Sequence, residues 1–375
     1  MRIVLTGSGS GGHFYPLVAI AEAITDQARE QKLLLPELYL MGPDPYDQGV
    51  LVKHGITFIR IPAGKVRRYF SFLNILDGFK TLWGVLVAIW RLIFIYPDVI
   101  MSKGSYTSMP IIVAARILRI PVVIHESDVH PGRANKFASR FARIIATSYE
   151  SSAKFFPNKQ TVRTGIPIRK HMLAPISGNP LEQIHMTVDG PLILVLGGSQ
   201  GAERINDLII TALDELLPVA TVLHQTGEQH AQVVVEAARA LTKKQEYLSR
   251  YHVRGFLDVD MMHAALSAAS IIVSRAGSGS IYEIALHGKP SILIPIPESI
   301  SHDQRTNAYE YARTGAAAVM EEKNLTPHLL SGEIARILSD QSIQMRMQEA
   351  ARNFAPRDAA QQLAATLIAI GLEHA

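Results

Sequence analysis

One local pattern occurs twice in this chain, about 190 residues apart, and that recurrence constrains the fold more than any other feature. Residues 2–24 run from an apolar stretch, RIVLT, through the glycine loop GSGSGGH into a helical segment over roughly Pro16 to Ile24. From Pro191 onward, PLILVLGGSQGAERIND repeats strand, glycine turn and helix. Each copy is the opening of a parallel sheet, because a strand followed by a tight glycine turn and a helix returns the chain to the next strand in the same direction. A chain of 375 residues also exceeds the size at which one core keeps growing. The expected architecture is α/β: two Rossmann-like doubly wound parallel-sheet domains facing across a cleft, each contributing one glycine turn. The boundaries expected are 1–170 for the first domain and 171–353 for the second, with ISGNPLEQIHMTVDG as a loop-rich connection. Residues 354–375 contain the amphipathic RDAAQQLAATLIAIGL, expected to pack back on the first domain.

The glycine turns are where chemistry is expected. In RAGSGSIYEIALHGKPSILIPIP, Gly277 and Gly279 are expected to take positive φ and to let a ligand approach the main chain. The following helix, about Ser280 to His287, aims free N–H groups at the same turn, which suits an anion. Glu283 would repel a phosphate there, but a carboxylate can accept two hydrogen bonds from the cis-diol of a ribose. The residues alone leave a second reading open, a glutamate that merely favours a helix N-terminus. Ser199 could bind phosphate or be an ordinary turn serine. His13, at the end of the first loop, could be a general base or a structural imidazole. HESDVHPGRANK puts His125, Glu126, Asp128, Arg133 and Asn135 where a strand's carboxyl end meets a crevice. The Asp258 to Asp260 pair could hold a divalent cation, though capping of the next helix is the better reading. With no cysteine in the chain, disulfides, thiolate metal sites and cysteine nucleophiles are excluded. No metal constellation is visible.

Charge is unevenly spread: residues 1–175 carry 22 Lys and Arg against 11 Asp and Glu, so the first half should prefer an anionic surface. Lys65, Arg67 and Arg68 stand beside Tyr69, Phe70 and Phe72, a basic and aromatic mixture suited to lipid head groups. Behind it comes TLWGVLVAIWRLIFIYPDVI. Its uninterrupted run from Leu82 to Trp90 is too short to span a bilayer, and residues 82–94 read better as a core helix than as a membrane-interface one. The N-terminus has no long apolar segment of the signal-peptide kind.

Taken in order, GSGSGGH, HESDVHPGRANK, GIPIR, GGSQGAERIN, RAGSGSIYE and HDQRTNA make the chain resemble the MurG-type N-acetylglucosaminyltransferases of glycosyltransferase family 28, in the GT-B superfamily. The resemblance runs from about Arg2 to Gly315. It implies a GT-B fold and an inverting hexosyl transfer with no required metal or cofactor, from UDP-N-acetylglucosamine to the C4 hydroxyl of muramoyl-pentapeptide on undecaprenyl diphosphate, in peptidoglycan synthesis. It also implies peripheral placement on the cytoplasmic face of a bacterial membrane, cell-wall synthesis proteins as possible partners and no nucleic acid. By position, the implied donor contacts are Ser199 at the diphosphate, the Leu257 main chain at uracil, and Ser278, Gly279, Ser280, Ile281 and Tyr282 around phosphate and sugar. Glu283 is implied on the ribose and Gln304 on the sugar hydroxyls, with Ser10, Gly11, Gly12, Asp128 and Arg169 contributed by the first domain. His13 is the candidate base, with Glu126 and Asp128 as competitors. HESD departs from the family's commoner HEQN, which puts a carboxylate at 128 where an amide is usual. A UDP-N-acetylglucosamine 2-epimerase, a GT-B transferase with another acceptor and a non-catalytic UDP-sugar-binding protein are the alternative readings.

Overall fold

In the computed structural model, residues 1–65, 73–198, 201–298 and 302–373 are described, and they form two compact units. Met1–Leu173 with Pro356–Ala375 make the first unit and Ala174–Ala355 the second. Arg67, Arg68, Tyr69, Phe70, Phe72 and Ser199 lie outside the described residues.

The first unit is built on seven parallel strands: β1 Arg2–Thr6, β2 Glu37–Gly42, β3 Ile56–Arg60, β4 Val99–Ser102, β5 Val122–Glu126, β6 Ile144–Thr147 and β7 Thr161–Arg163. Their order across the sheet is β3-β2-β1-β4-β5-β6-β7. The central strands are β-branched and aliphatic because helices cover both faces, and β4 and β5 are buried throughout. On one face, the helices Gly11–Glu30 and Ala359–Glu373 pack together, with Ile20, Ile24, Leu363 and Leu367 in one core with Ile3 and Leu5 of β1. On the other, Ala88 and Leu92 join Ile111, Ile112 and Ala115 against Val4, Ile100 and Ile124.

The second unit repeats the design with six parallel strands: β8 Leu192–Leu196, β9 Thr221–Gln225, β10 Tyr251–Arg254, β11 Ile271–Ser274, β12 Ser291–Leu293 and β13 Ala317–Val319. Their order is β10-β9-β8-β11-β12-β13. In both sheets the strand order reverses beside the first strand, between β1 and β4 and between β8 and β11.

The helix Leu73–Ile95 corrects an expectation. It was read as a core helix over residues 82–94, but only one side of it is covered: Val85, Ala88 and Leu92 are buried, whereas Trp83, Trp90 and Phe94 are 61%, 62% and 66% exposed. Ile75, Leu76, Phe79, Leu82, Leu86 and Ile93 extend the same uncovered apolar face. Length and composition alone would let Ile75–Ile95 cross a membrane, against the shorter span read from the sequence. Its packing on the Met109–Leu118 helix makes it a surface helix of the first unit, apolar on both sides.

Candidate functional site

Where the order of an open parallel sheet reverses, the loops leaving the two adjacent strands diverge and leave a crevice at the strands' carboxyl ends. In the first unit those loops follow β1 and β4. Gly7 has φ 119°, and a Cβ placed on it would come within 2.9 Å of the Lys103 Cβ and 3.0 Å of the Gly104 carbonyl oxygen, so glycine is required by conformation and by the approach of the β4 loop. The helix after this turn begins at Gly11, five residues earlier than expected, and runs to Glu30 with Pro16 inside it. His13 therefore lies in the helix's first turn and not at the end of a loop. Ser10 is its N-cap residue, and the Ser10 hydroxyl lies 2.9 Å from His13 Nδ1. With Nδ1–H donated to Ser10, Nε2 carries the lone pair a base needs. Burial first, then the positive charge of Lys103, push the His13 imidazole down to about 4, while Asp128 pulls the other way. At neutral pH the ring is uncharged.

β5 ends in Glu126, and its carboxylate turns inward. Oε1 accepts from the Asp128 N–H at 3.0 Å; Oε2 accepts from the Gly132 N–H at 2.9 Å and from Asn135 Nδ2 at 2.9 Å. Burial raises the Glu126 carboxyl above the ordinary range, with the nearby Asp128 charge adding to the effect and the three donors opposing it. Glu126 is thus committed to closing the 126–132 loop. Asp128 is half-buried beside it, and its charge acts on His13, Glu126 and Lys103. The crevice reading of the whole run is corrected at three positions: His125 and Asn135 are buried within the loop's support, and Arg133 is on the surface. The Arg169 guanidinium stacks 4.1 Å over the Tyr15 ring, which packs edge-on against Tyr46. An added Cβ at Gly11 would meet the Tyr46 hydroxyl at 2.9 Å, so the ring would have to give way, whereas Gly12 faces open space. The first unit therefore brings Ser10, Gly11, His13, Asp128 and Arg169 to one end of its sheet.

In the second unit the corresponding loops follow β8 and β11. Gly198 and Gly201 have positive φ, 88° and 79°. After β11 the helix Ser278–Leu286 starts from Gly277, and here another expectation fails: Gly277 has φ −65° and Gly279 is helical, so neither supplies a left-handed turn. What glycine supplies is room, because an added Cβ at either position meets nothing within 4 Å. The run Ser278 to Tyr282 also divides by side. Ile281 and Tyr282 are fully buried, with Tyr282 packed on Phe354 at 5.2 Å, so they can offer a ligand only their main chain. Gly279, Ser280 and Glu283 are partly exposed. Leu257 is buried just before Asp258, whose side chain accepts from the Met261 N–H at 2.9 Å; the capping reading holds for that aspartate. Gln304 Oε1 accepts from the Ile296 N–H at 3.3 Å, which ties it to the strand-end loop after β12. Among the described residues no three His, Cys, Asp or Glu side chains form a metal-binding group.

Sequence reasoning passed over Lys103, Tyr15 and Tyr46. A signal for the first was there: the run DVIMS is followed directly by a lysine, at the carboxyl end of a strand beside the order reversal. The tyrosines are local helix and loop residues whose convergence on Arg169 needs the tertiary fold.

Comparison with known proteins gives the family of both units. Residues 3–147 match the glycosyltransferase family 28 N-terminal domain and residues 192–363 its C-terminal domain. A Bacillus cereus protein named UDP-N-acetylglucosamine--N-acetylmuramyl-(pentapeptide) pyrophosphoryl-undecaprenol N-acetylglucosamine transferase 2 is 35% identical over 87% of this chain and 88% of its own. In structure, the chain is similar to Acinetobacter baumannii MurG, with a TM-score of 0.76 at 24% identity over 98% of this chain and 99% of that one. It also shares its fold with the UDP-GlcNAc 2-epimerase from Neisseria meningitidis, with a TM-score of 0.69 at 13% identity over 98% of this chain and 100% of that one. Matched in both halves by the two domains of one family, and over most of its length by a transferase relative, the chain belongs to glycosyltransferase family 28.

Proposed function

We propose that this chain transfers N-acetylglucosamine from UDP-N-acetylglucosamine, with inversion, to the C4 hydroxyl of N-acetylmuramoyl-pentapeptide on undecaprenyl diphosphate. The observation that carries this reading is the 35% identity, over 87% of the chain, to a transferase named for that donor and acceptor. The site geometry supports it. In a single displacement the acceptor oxygen forms its bond to the anomeric carbon as the bond to UDP breaks on the opposite face, and the hydroxyl proton goes to a base. A neutral imidazole in the first turn of the Gly11–Glu30 helix, with Asp128 close enough to stabilise the imidazolium that forms, suits that task. Glu126 serves as the strut of the loop that carries Asp128.

The leaving diphosphate would lie on the N-terminus of the Ser278–Leu286 helix, where open glycines leave the N–H groups accessible, and beside Gly198; Ser199 is assigned to it by the family resemblance alone. Glu283 would hold the ribose, the Leu257 main chain the uracil and Gln304 the sugar hydroxyls. In the first unit, Ser10, Gly11, Gly12 and Arg169 are donor-contact candidates. The acceptor's polyprenyl chain and diphosphate call for a membrane surface. The uncovered face of the Leu73–Ile95 helix, with exposed Lys80 and Arg91 in the helix and Lys65 shortly before it, supports peripheral binding to an anionic leaflet.

The test is transfer of labelled N-acetylglucosamine to a short-chain analogue of the lipid-linked acceptor, with Glu283→Ala run in parallel. Product from the wild type, and a donor KM raised at least tenfold in the variant, are expected. Formation of UDP-N-acetylmannosamine without acceptor would replace this reading by the epimerase one. UDP binding with no turnover would leave a protein that only binds the nucleotide.

A further inference from the structure

The first unit contains a buried ammonium group that the chemistry above leaves unused. Lys103 follows β4 directly, is 2% exposed, and donates through Nζ to His125 Nδ1 at 2.7 Å and to Ser127 Oγ. His125 accepts at Nδ1 because its Nε2–H is given to the Gly165 carbonyl at 2.7 Å. That ring is therefore neutral and does not balance the lysine's charge. A buried lysine without a counter-charge is strongly disfavoured. The balancing charges are Glu126 at the end of β5 and Asp128 in the loop after it, both of which favour the protonated Lys103 against the cost of its burial. From the Gly11–Glu30 helix, His13 feels the same ammonium. His13, His125, Glu126 and Asp128 are thus the titratable groups that face Lys103 from the surrounding elements. The backbone is shaped around this lysine as well: Gly7 takes φ 119° against its Cβ, and Gly104, at φ 82°, leaves 2.9 Å between an added Cβ and the Asn135 amide oxygen.

We propose that Lys103 is a positioning residue for the transfer: its ammonium anchors the 125–128 strand end through His125 and Ser127, and so fixes how the loop that carries Asp128 faces His13. The proposal rests on the reading of His13 as the base. Without Lys103, two carboxylates would share one buried turn with no cation between them. The Glu126 carboxyl, already raised by burial, would be raised further, and the His13 imidazole would become easier to protonate.

Lys103→Gln keeps an N–H donor, one bond shorter, and removes the charge; adding Asp128→Asn then removes the surplus carboxylate. Two readouts are taken on each variant. One is the pH dependence of kcat/KM for transfer to the short-chain acceptor. The other is the titration of His13 followed by NMR on histidine-labelled protein, its signal identified by its loss in His13→Gln. In K103Q the His13 midpoint should rise from about 4 by roughly one pH unit or more, with the acid limb of kcat/KM moving alongside it. At pH 7, where His13 is neutral in both proteins, kcat should fall about tenfold because the 125–128 loop has lost its anchor, with donor KM changing less than about threefold. The same K103Q change should cost much less in the D128N background, as a coupled pair requires.

An unmoved His13 titration in K103Q, or an equal loss in both backgrounds, would overturn the proposal. Should K103Q fail to fold, recovery of folding in K103Q/D128N supports the charge coupling, and equal instability of the two overturns it. If the wild type makes no product, the transferase reading fails, while the His13 titration still decides whether Lys103 sets the charge at this site.

Discussion

His13 is kept neutral by its surroundings, and this has a cost in acid that can be measured. Its folded-state value, about 4, lies below the ordinary 6.5 of the unfolded chain. Between those two values the unfolded state binds a proton that the native state does not, so stability falls as pH drops through that window and rises again with pH. The size at pH 5 is about 2 kcal/mol relative to pH 7. His13→Gln should lose about 2 kcal/mol less than the wild type over that interval in urea denaturation, and an unchanged pH dependence would remove the imidazole as its source. As a base, His13 should be worth at least about 10²-fold in kcat. His13→Ala with turnover within threefold of wild type would pass the role to Asp128. The glycine turns themselves were legible because small loops before helices need glycine and short polar residues in fixed order. Their geometry was less so. Gly277 and Gly279 read as left-handed turn formers, since glycine's two uses, unusual φ and missing bulk, look alike in one sequence. Lys103 stayed hidden because its partners, His125 and Ser127, are set by a loop whose path depends on Glu126 turning inward.

Among the elements, the parallel strands were the easiest to read, because continuous aliphatic runs bounded by glycine and proline have few other uses. Helix edges were harder. Gly11 and Gly12 are poor helix formers and Pro16 suits a first turn, which together moved the expected start of the first helix five residues late. The Leu73–Ile95 helix exposes a deeper limit: hydrophobicity says that a face avoids water, not what covers it. Replacing Trp83, Trp90 and Phe94 by serine should leave stability nearly unchanged, within about 0.5 kcal/mol per site, because these side chains are already exposed. Co-sedimentation with vesicles containing anionic lipid should fall sharply in the same variant. The opposite holds for Leu367, fully buried in the core shared with β1 and the first helix. Leu367→Ala should cost about 2–5 kcal/mol in denaturant unfolding, with no direct effect on vesicle binding.

At the scale of the whole molecule, two doubly wound units were legible from the repeated opening pattern, and each sheet reverses order beside its opening strand. The uneven charge of the chain gives a further expectation. If attraction to lipid head groups adds to apolar contact, vesicle binding should weaken as salt rises from about 0.05 to 0.5 M, as the Debye length shortens. Binding indifferent to both salt and anionic lipid would leave the apolar face alone responsible. The route of the chain has a different consequence. The first unit is discontinuous: it needs Pro356–Ala375, and the helix in that stretch closes its core against β1 and the Gly11–Glu30 helix. During synthesis, at about 5–20 residues per second, the ribosome spends roughly 10–40 s making the second unit and that helix after Leu173 has been added. The second unit is thus complete first, and the nascent first unit should wait with part of that core unclosed until the Ala359–Glu373 helix emerges.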